Sequence, residues 1–247
     1  MNLRLMIWAA RLCLLSAVLV ALGAAATWLM RRPVFDLKQI ELRGDLTHVS
    51  RATVRASIAG RISGNFFTVK LEDVRRAFEA VPWVAAASVR RAWPDRLVVT
   101  VLEHRALGLW TDGRLLSDNG RLFVANPAEA EIYGPLVQFD GPEVFAAEAV
   151  RRYYELAARL APLALGVSAI EISERASWAV TTDAGQRFEL GRDEPAGTLS
   201  QRIVVLVAAY PRVAAQLGGA PKRIDLRYPN GLAAAGGRAS GTASRKS

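Results

Sequence analysis

The feature that most constrains this chain is an apolar stretch near its beginning. Residues Leu12–Met30 contain no charged side chain and lie between Arg11 and the basic pair Arg31-Arg32. A helix of about 20 apolar residues spans the hydrocarbon core of a bilayer. The sequence therefore predicts a membrane-spanning helix at 12–30. A tail at 1–11 would lie on one side, and all later residues on the other.

A cleaved signal peptide is the alternative interpretation of this stretch. Arg4 and Arg11 would form its basic region and Ala24-Ala25-Ala26 its cleavage site. However, the apolar run continues past these alanines to Met30, and Trp28 lies where aromatic side chains anchor a span at the interface. We therefore favour an uncleaved anchor. Basic residues flank both sides of the span, so they do not decide its orientation.

Charge and cysteine content narrow the possible compartments and partners. The formal net charge is +9, which suits anionic lipids or acidic partners. The arginines are scattered among acidic residues, without the basic, aromatic-rich run expected of a nucleic-acid surface, so we expect no nucleic-acid partner. The single cysteine, Cys13, lies in the apolar stretch. The remaining chain must fold without disulfides, as an ordinary bacterial periplasmic domain can.

The first seventy residues after Pro33 predict the order strand, helix, helix, strand, strand. Polar residues alternate with apolar ones at the start, and apolar residues at helical spacing follow. Ser50 is a candidate helix cap. The predicted elements are Phe35–Leu42, Ser50–Ile58, Leu71–Val81, Ala85–Arg91 and Leu97–Leu102.

The next part of the chain has short apolar runs separated by turn signals such as Asp112-Gly113 and Asp183-Ala184-Gly185. It predicts an antiparallel sheet backed by two helices, and the whole chain is therefore assigned to the α+β class. A disordered tail is predicted at 233–247. The predicted helices are Glu143–Leu160 and Leu199–Tyr210, which precedes Pro211; the predicted strands are Leu107–Trp110, Arg114–Leu116, Leu122–Val124, Leu136–Phe139, Ala169–Ile172, Trp178–Thr181, Arg187–Leu190 and Arg223–Tyr228.

The sequence offers little for catalysis. Its two histidines, His48 and His104, are far apart, and Asp45, His48 and Ser50 share one loop without a nucleophile elbow. The histidine and cysteine spacing does not match a zinc site, and no phosphate-binding loop is present. We therefore predict that the protein is not an enzyme and that it needs no cofactor.

Binding is the remaining possibility, and Arg223–Tyr228 is the segment of interest. As a strand it would place Asp225 and Arg227 on one face and Ile224, Leu226 and Tyr228 on the other. If no strand follows, it would form a sheet edge that a partner segment could extend. The alternative, which the residues alone favour, is a paired strand whose arginines are solvated.

The segment Val81–Trp110 reads VPWVAAASVRRAWPDRLVVTVLEHRALGLW. The succession PWV, SVRR, WP, an apolar run, Glu103 and Trp110 resembles the POTRA domain of the FtsQ/DivIB family of bacterial cell-division proteins. The resemblance extends to further segments and implies a POTRA domain at 34–103 and a β domain at 104–232. These segments are Phe35–Gly44, Trp178–Arg192 and Arg223–Tyr228. Ala106 and Gly108 depart from the proline and alanine usual in the family.

This resemblance implies a non-enzymatic scaffold of the divisome in the inner membrane. Such a protein links early and late division proteins at the septum and helps to control septal cell-wall assembly. Its N-terminus would be cytoplasmic and its bulk periplasmic. FtsB and FtsL-type division proteins would bind the β domain, and other divisome proteins the POTRA domain. The implied partner-binding residues are Arg175, Lys222, Arg227, Tyr228, Asn230 and Gly231 in the β domain, and Val89 and Arg91 in the POTRA domain.

Three alternatives accompany these expectations. Val89 and Arg91 have a purely structural interpretation, in which Val89 packs and Arg91 is simply exposed. The whole chain has a different functional interpretation as a POTRA-type chaperone or assembly factor for exported or membrane proteins, which predicts repeated POTRA units and a following barrel. A periplasmic cell-wall hydrolase would require a catalytic constellation, which the sequence does not show.

Overall fold

A computed structural model of the chain describes residues 3–30, 33–44, 46–58, 60, 64–228 and 231–236. The chain divides after Glu103 into two compact units. The first unit contains one long helix and a small three-stranded sheet, and the second contains a nine-stranded sheet with helices. The α+β class expected from the sequence is confirmed.

Helix α1, Leu3–Met30, is long and apolar enough to cross a membrane. Its candidate span is Ile7–Ala25, which begins earlier than the predicted span at 12–30. Much of the predicted tail at 1–11 is therefore helical. The large apolar side chains described along this helix are exposed, as is expected of a helix whose natural surroundings are lipid.

The small sheet of the first unit has the predicted element order. Strand β3 lies in the centre, with β1 parallel to it on one side and β2 antiparallel on the other. Val74 and Phe78 of α3 and Leu97 and Val99 of β3 are all buried and contribute to the core of this unit. The elements are β1 Gln39–Arg43, α2 Arg51–Ile58, α3 Leu71–Glu79, β2 Val84–Ala92 and β3 Arg96–Glu103.

A local hydrogen bond explains where helix α2 begins. The Ser50 hydroxyl accepts a hydrogen bond from the Thr53 N–H at 3.0 Å, so Ser50 caps α2 as predicted. The first strand begins at Gln39, later than expected, because Pro33–Phe35 forms a short 3-10 turn.

The second unit is a twisted sheet of nine strands in the order β12-β11-β10-β9-β8-β7-β4-β5-β6. Helices α5 and α6 supply much of its buried core, including Leu156, Leu199 and Ile203, which share that core with Phe139 and Phe188 of the sheet. The elements are β4 Ala106–Trp110, β5 Leu115–Ser117, β6 Leu122–Phe123, α4 Pro127–Glu131, β7 Val137–Asp140, α5 Ala146–Leu160, β8 Val167–Ile172, β9 Trp178–Thr182, β10 Arg187–Gly191, α6 Thr198–Gln216, β11 Arg223–Asp225 and β12 Ala233–Ala235.

The prediction of a purely antiparallel sheet is wrong, because the sheet is mixed. The pairs β4–β7, β7–β8 and β10–β11 are parallel. Helix α5 connects β7 to β8 and helix α6 connects β10 to β11, and such a crossover returns the chain in the same direction. Helix α6 also continues past Pro211 to Gln216. Val213 on this last part of the helix is buried, although Pro211 cannot donate a backbone hydrogen bond.

The end of the sheet also differs from the prediction. Strand β11 ends at Asp225, so the expected strand to Tyr228 is too long. Ala233–Ala235, predicted as the start of a disordered tail, forms β12 and pairs antiparallel with β11. The prediction that Arg223–Tyr228 is the sheet edge is therefore wrong. The predicted tail at 237–247 lies outside the described residues.

A candidate partner-binding surface

Strand β12 is the last strand of the sheet in the described part of the chain. Its three alanines lie opposite β11 in the pairs Arg223–Ala235, Ile224–Ala234 and Asp225–Ala233. The Lys222 N–H donates to the Ala235 carbonyl at 2.9 Å and extends this pairing. The small alanine side chains leave the backbone of β12 accessible. An edge strand of this kind offers its unpaired N–H and C=O groups to another extended segment.

The two faces of β11 are chemically different. Ile224 is fully buried, and it lies in register with Phe188 of β10, which is also fully buried. The opposite face carries charges: Arg223 contacts Glu189 at 3.2 Å, and Arg187 contacts Glu189 at 2.9 Å. The helices therefore cover one face, while the face that bears these ion pairs is open.

The chain beyond β11 presents two of the predicted partner-binding residues. The Arg227 guanidinium donates to the Asp225 carboxylate, with an Nη2–Oδ2 distance of 2.6 Å. This hydrogen bond lowers the pKa of Asp225 below its ordinary value. Tyr228 follows and is 59% exposed, whereas Ile224 and Leu226, which were predicted to share its face, are buried. Because the strand has ended, its alternation of faces no longer applies.

Arg175 and Arg227, which are far apart in sequence, line one cavity of about 680 Å³. Arg192 and Arg202 line it as well, and the only carboxylate on its wall among the described residues is that of Glu194. Guanidinium groups bind carboxylates through paired N–H donors. The cavity is therefore suited to an acidic side chain or a chain-terminal carboxylate.

Arg192 and Arg202 were missed in the sequence analysis. The Arg202 guanidinium donates to the Leu190 carbonyl at 2.5 Å and to the Arg192 carbonyl at 3.1 Å, so it fastens helix α6 to the end of β10. Arg192 pairs with Glu194 at 3.5 Å, and both side chains are well exposed. The Gly191-Arg192 pair after a strand was the only signal in the sequence.

A less exposed ion pair holds the loop that carries Arg192. The Arg152 guanidinium contacts Asp193 at 2.5 Å and Glu155 at 2.9 Å. Asp193 also accepts the Leu199 N–H at 2.9 Å, near the start of α6. Helix α5 therefore fixes the loop between β10 and α6, and with it one wall of the cavity.

The remaining predicted residues of the β domain have different positions. Lys222 is exposed but lies at the opposite end of β11 from Arg227, and it does not line the cavity. Gly231 is exposed, two residues before β12. Asn230 lies outside the described residues. Trp178 is buried in the core, as the sequence analysis expected.

In the first unit, Val89 and Arg91 lie on β2, an edge strand of the small sheet. Val89 is half-buried. Arg91 is not simply exposed, because its guanidinium donates to the carbonyls of Phe66 and Val69, each at 2.7 Å. Arg91 is exposed, as the structural interpretation expects, but it also ties the loop before α3 to the sheet through these hydrogen bonds.

The histidines have structural surroundings. His48 stacks on Trp83 with ring centroids 3.9 Å apart, and its Nδ1 lies 3.1 Å from the Glu103 carboxylate. His104 stacks on Phe123, and burial lowers the pKa of His104. In the described ranges, no three side chains of His, Cys, Asp and Glu are grouped so that they could hold a metal ion.

Comparison with known proteins matches both units to one family. The family model described as "POTRA domain, FtsQ-type" matches residues 35–104, and that described as "Cell division protein FtsQ/DivIB, C-terminal" matches residues 108–227. Similar proteins named "Cell division protein FtsQ" occur in Burkholderia pseudomallei, with 45% identity over 87% of this chain and 86% of the relative, and in Bordetella pertussis, with 41% identity over 89% and 86%. The one in Thiomonas arsenitoxydans is 32% identical over 87% and 81%.

Proposed function

The chain belongs to the FtsQ/DivIB family of bacterial cell-division proteins, and on this basis we propose that it is a non-enzymatic scaffold of the divisome. Helix α1 anchors it in the inner membrane with the N-terminus in the cytoplasm and the bulk in the periplasm. It gathers at the division septum, where it links early and late division proteins and helps to control septal cell-wall assembly.

The β domain of this scaffold binds FtsB and FtsL-type division proteins by strand addition. The observation that supports this proposal is strand β12, the last strand of the sheet in the described residues, together with the exposed Tyr228 that follows β11. A partner segment extends the sheet along β12, as peptides do in β-augmentation. We therefore assign the pairing to Ala233–Ala235 and not to Arg223–Tyr228, because β12 lies outside β11 in the sheet.

Backbone pairing on β12 needs additional anchors. Each hydrogen bond contributes about 0.5–1.5 kcal/mol net of water, whereas micromolar binding requires about 8 kcal/mol. A strand of three residues supplies only a fraction of this amount. Tyr228 and the arginines of the cavity, Arg175 and Arg227, supply the remainder, since tyrosine and arginine are frequent hot-spot residues. Lys222, Asn230 and Gly231 complete the proposed surface.

The POTRA domain recruits other divisome proteins through β2, where Val89 is available along the sheet edge. The role of Arg91 is to hold the adjoining loop in place. The alternative function, a POTRA-type assembly factor, predicts several POTRA units, and the described residues contain one such unit.

The decisive experiment measures the affinity of the full-length chain for the periplasmic segment of FtsB from the same organism. Tyr228→Ala should weaken binding at least about tenfold if Tyr228 is a hot spot. Tyr133→Ala is the matched control. Tyr133 is also well exposed. It follows α4, which comes after β6, the strand at the opposite edge of the sheet from β12. Equal affinities of both variants and the native chain would contradict the proposed surface.

A second readout separates the two functions. A fluorescent fusion of the native chain should form a band at mid-cell during division. A uniform membrane signal would instead favour the assembly-factor alternative.

A further inference from the structure

The turn between β2 and β3 carries Trp93, the most exposed aromatic side chain in the described part of the chain, at 74%. A tryptophan this exposed contributes little to the packing of its own unit. Tryptophan has an apolar body and an N–H donor, and it is enriched where hydrocarbon meets headgroups. Its position relative to α1 therefore matters.

Two contacts place this turn beside the segment that follows α1. The Lys38 N–H donates to the Asp95 carbonyl at 3.0 Å, and the Lys38 ammonium lies 3.3 Å from the Asp95 carboxylate. The strands β1 and β3 also start together, because Gln39 is paired with Arg96 in parallel register. The Trp93 turn is thus located at the end of the sheet where the chain enters it from α1.

The length of the connecting segment limits how far this end of the sheet can be from the end of α1. Eight residues separate Met30, the end of α1, from Gln39, the start of β1. Nine Cα–Cα steps lead from Met30 to Gln39, and at no more than about 3.5 Å per step they cover at most about 32 Å. The turn at Pro33–Phe35 shortens this distance.

A second apolar segment lies at the same end. The Phe66 N–H donates to the Phe35 carbonyl at 2.8 Å, and the rings of Phe35 and Phe67 are 4.9 Å apart. Phe67 is 41% exposed and Val34 is 65% exposed. Arg91, two residues before Trp93, holds this loop to β2 through the Phe66 carbonyl. The same strand therefore supports both apolar segments.

The charges around these segments favour an anionic surface. Basic side chains near the turn and on the adjoining segment outnumber acidic ones by four to two. Basic residues next to a membrane are attracted to anionic headgroups. The basic residues are Lys38, Arg90, Arg91 and Arg96, and the acidic ones are Asp36 and Asp95.

We propose that this end of the POTRA unit binds the surface of anionic phospholipid, with Trp93 among the headgroups and Arg90 and Arg96 beside their phosphates. The inference rests on the membrane anchoring in the proposed function. It adds that the unit lies on the membrane, whereas a tether alone would leave it free above the surface.

The test uses the full-length chain reconstituted into vesicles. In a Cys13→Ser background, Trp93→Cys carries an environment-sensitive fluorophore, and Tyr133→Cys carries the same fluorophore as the matched exposed control. Vesicles of phosphatidylcholine, with or without phosphatidylglycerol, contain a lipid quencher at headgroup depth. We expect quenching at position 93 to be several-fold stronger than at position 133 and to increase with phosphatidylglycerol. Arg90→Glu combined with Arg96→Glu should remove that increase.

The outcomes are separable. If the protein does not float with the vesicles, the proposed anchoring fails. If it floats but both positions are quenched equally, the membrane anchoring stands and only the proposed surface contact is overturned. Trp93 would then be free to contact another protein instead.

A measurement on the native chain guards against an effect of the label. Amide hydrogen exchange at 92–96 should be several-fold slower in nanodiscs that contain phosphatidylglycerol than in phosphatidylcholine discs, whereas exchange in the Asp112-Gly113 turn should not change. Unchanged exchange at 92–96 would overturn the inference.

Discussion

The carboxylate of Asp225 holds the guanidinium of Arg227 in a two-point contact. Nε lies 2.9 Å from Oδ1, and Nη2 lies 2.6 Å from Oδ2. The Asp225 side chain is 14% exposed, whereas that of Arg227 is 53% exposed. A largely buried residue of β11 therefore orients an exposed one at the wall of the basic cavity. Such paired contacts fix the plane of the guanidinium as well as its position.

The first prediction is that Asp225 acts on partner binding through Arg227. Asp225→Ala and Arg227→Ala should each weaken binding of the FtsB segment by about 1–2 kcal/mol, and the double variant should be no weaker than Arg227→Ala alone. Isothermal titration of the full-length chain measures all three. Glu171→Ala is the control, because Glu171 also pairs with an arginine, Arg187, but lies on β8, away from β12. Additive losses would show that the two residues act separately.

The second prediction concerns Arg91, which the resemblance links to recruitment of division proteins. Because its guanidinium binds the Phe66 and Val69 carbonyls, Arg91→Ala should destabilise the first unit by about 1–2 kcal/mol and speed amide exchange at 65–69. Arg90→Ala is the matched control, since Arg90 is the exposed neighbour on the same strand. Denaturant unfolding with exchange measurements tests this. If the two variants are equally stable, any loss of recruitment by Arg91→Ala is a direct contact effect.

The sequence was sufficient to predict the first unit. Its helices have clear apolar faces, such as Val74 and Phe78 on α3, and a polar cap at Ser50. Its central strand, β3, is a short apolar run with Leu97, Val98 and Val99 all buried. These are local signals in the sequence. Together with the family resemblance, they were enough to predict the order and arrangement of the five elements. The sequence could not show which groups the Arg91 guanidinium binds, because these carbonyls lie more than twenty residues away in the chain.

The edge of the large sheet was harder to predict, for a physical reason. Alanine has a low strand propensity, so Ala233–Ala235 gave no strand signal, and its pairing depends on β11 being present. The parallel pair β10–β11 likewise depends on the path of α6. Arg175 and Arg227 were predicted as separate contacts, but their common cavity is a product of tertiary structure. The sequence could predict that these arginines are candidate partner contacts, but not that they lie together in one cavity.

The third prediction concerns Glu103, whose carboxylate closes the loop before α2. It accepts hydrogen bonds from the backbone N–H groups of Thr47, His48 and Val49, the last at 2.7 Å. Burial alone would raise the pKa of Glu103, but these hydrogen bonds outweigh it, and the pKa is lowered. Glu103→Gln should therefore destabilise the first unit by about 1–3 kcal/mol at neutral pH. Glu72→Gln, which removes an exposed i,i+3 pair with Arg75, should have little effect.

The pH dependence of this effect follows from the direction of the shift. A carboxyl group whose pKa is lower in the folded state stabilises that state fully above its ordinary pKa of 4.5. This contribution is lost as the pH falls through the folded-state pKa. The difference in unfolding free energy between the native chain and Glu103→Gln should therefore be constant at neutral pH and shrink in acid. Denaturant titrations at a series of pH values measure it, and a difference that grows in acid would contradict the assignment.

The final prediction concerns Gly108 on β4, where the family resemblance leads one to expect alanine. Gly108 lies on β4, opposite Val137 of β7 in a parallel pair. A Cβ atom here would lie 2.2 Å from the Val137 carbonyl oxygen and 2.5 Å from the Phe139 ring. Gly108→Ala should therefore force β4 and β7 apart and destabilise the second unit by about 1–3 kcal/mol, the usual cost of overpacking. Gly231→Ala, with no atom within 4 Å of the added carbon, is the matched control.

The same contacts predict how far this loss can be rescued. Phe139→Leu removes the ring that a Cβ at position 108 would meet, but it leaves the Val137 carbonyl in place. In the Phe139→Leu background, Gly108→Ala should therefore cost less than in the native chain, yet still more than Gly231→Ala does. Denaturant unfolding of the single and double variants, followed by the fluorescence of the buried Trp110 on the same strand, measures this coupling. An equal cost in both backgrounds would mean that the carbonyl contact alone determines the loss.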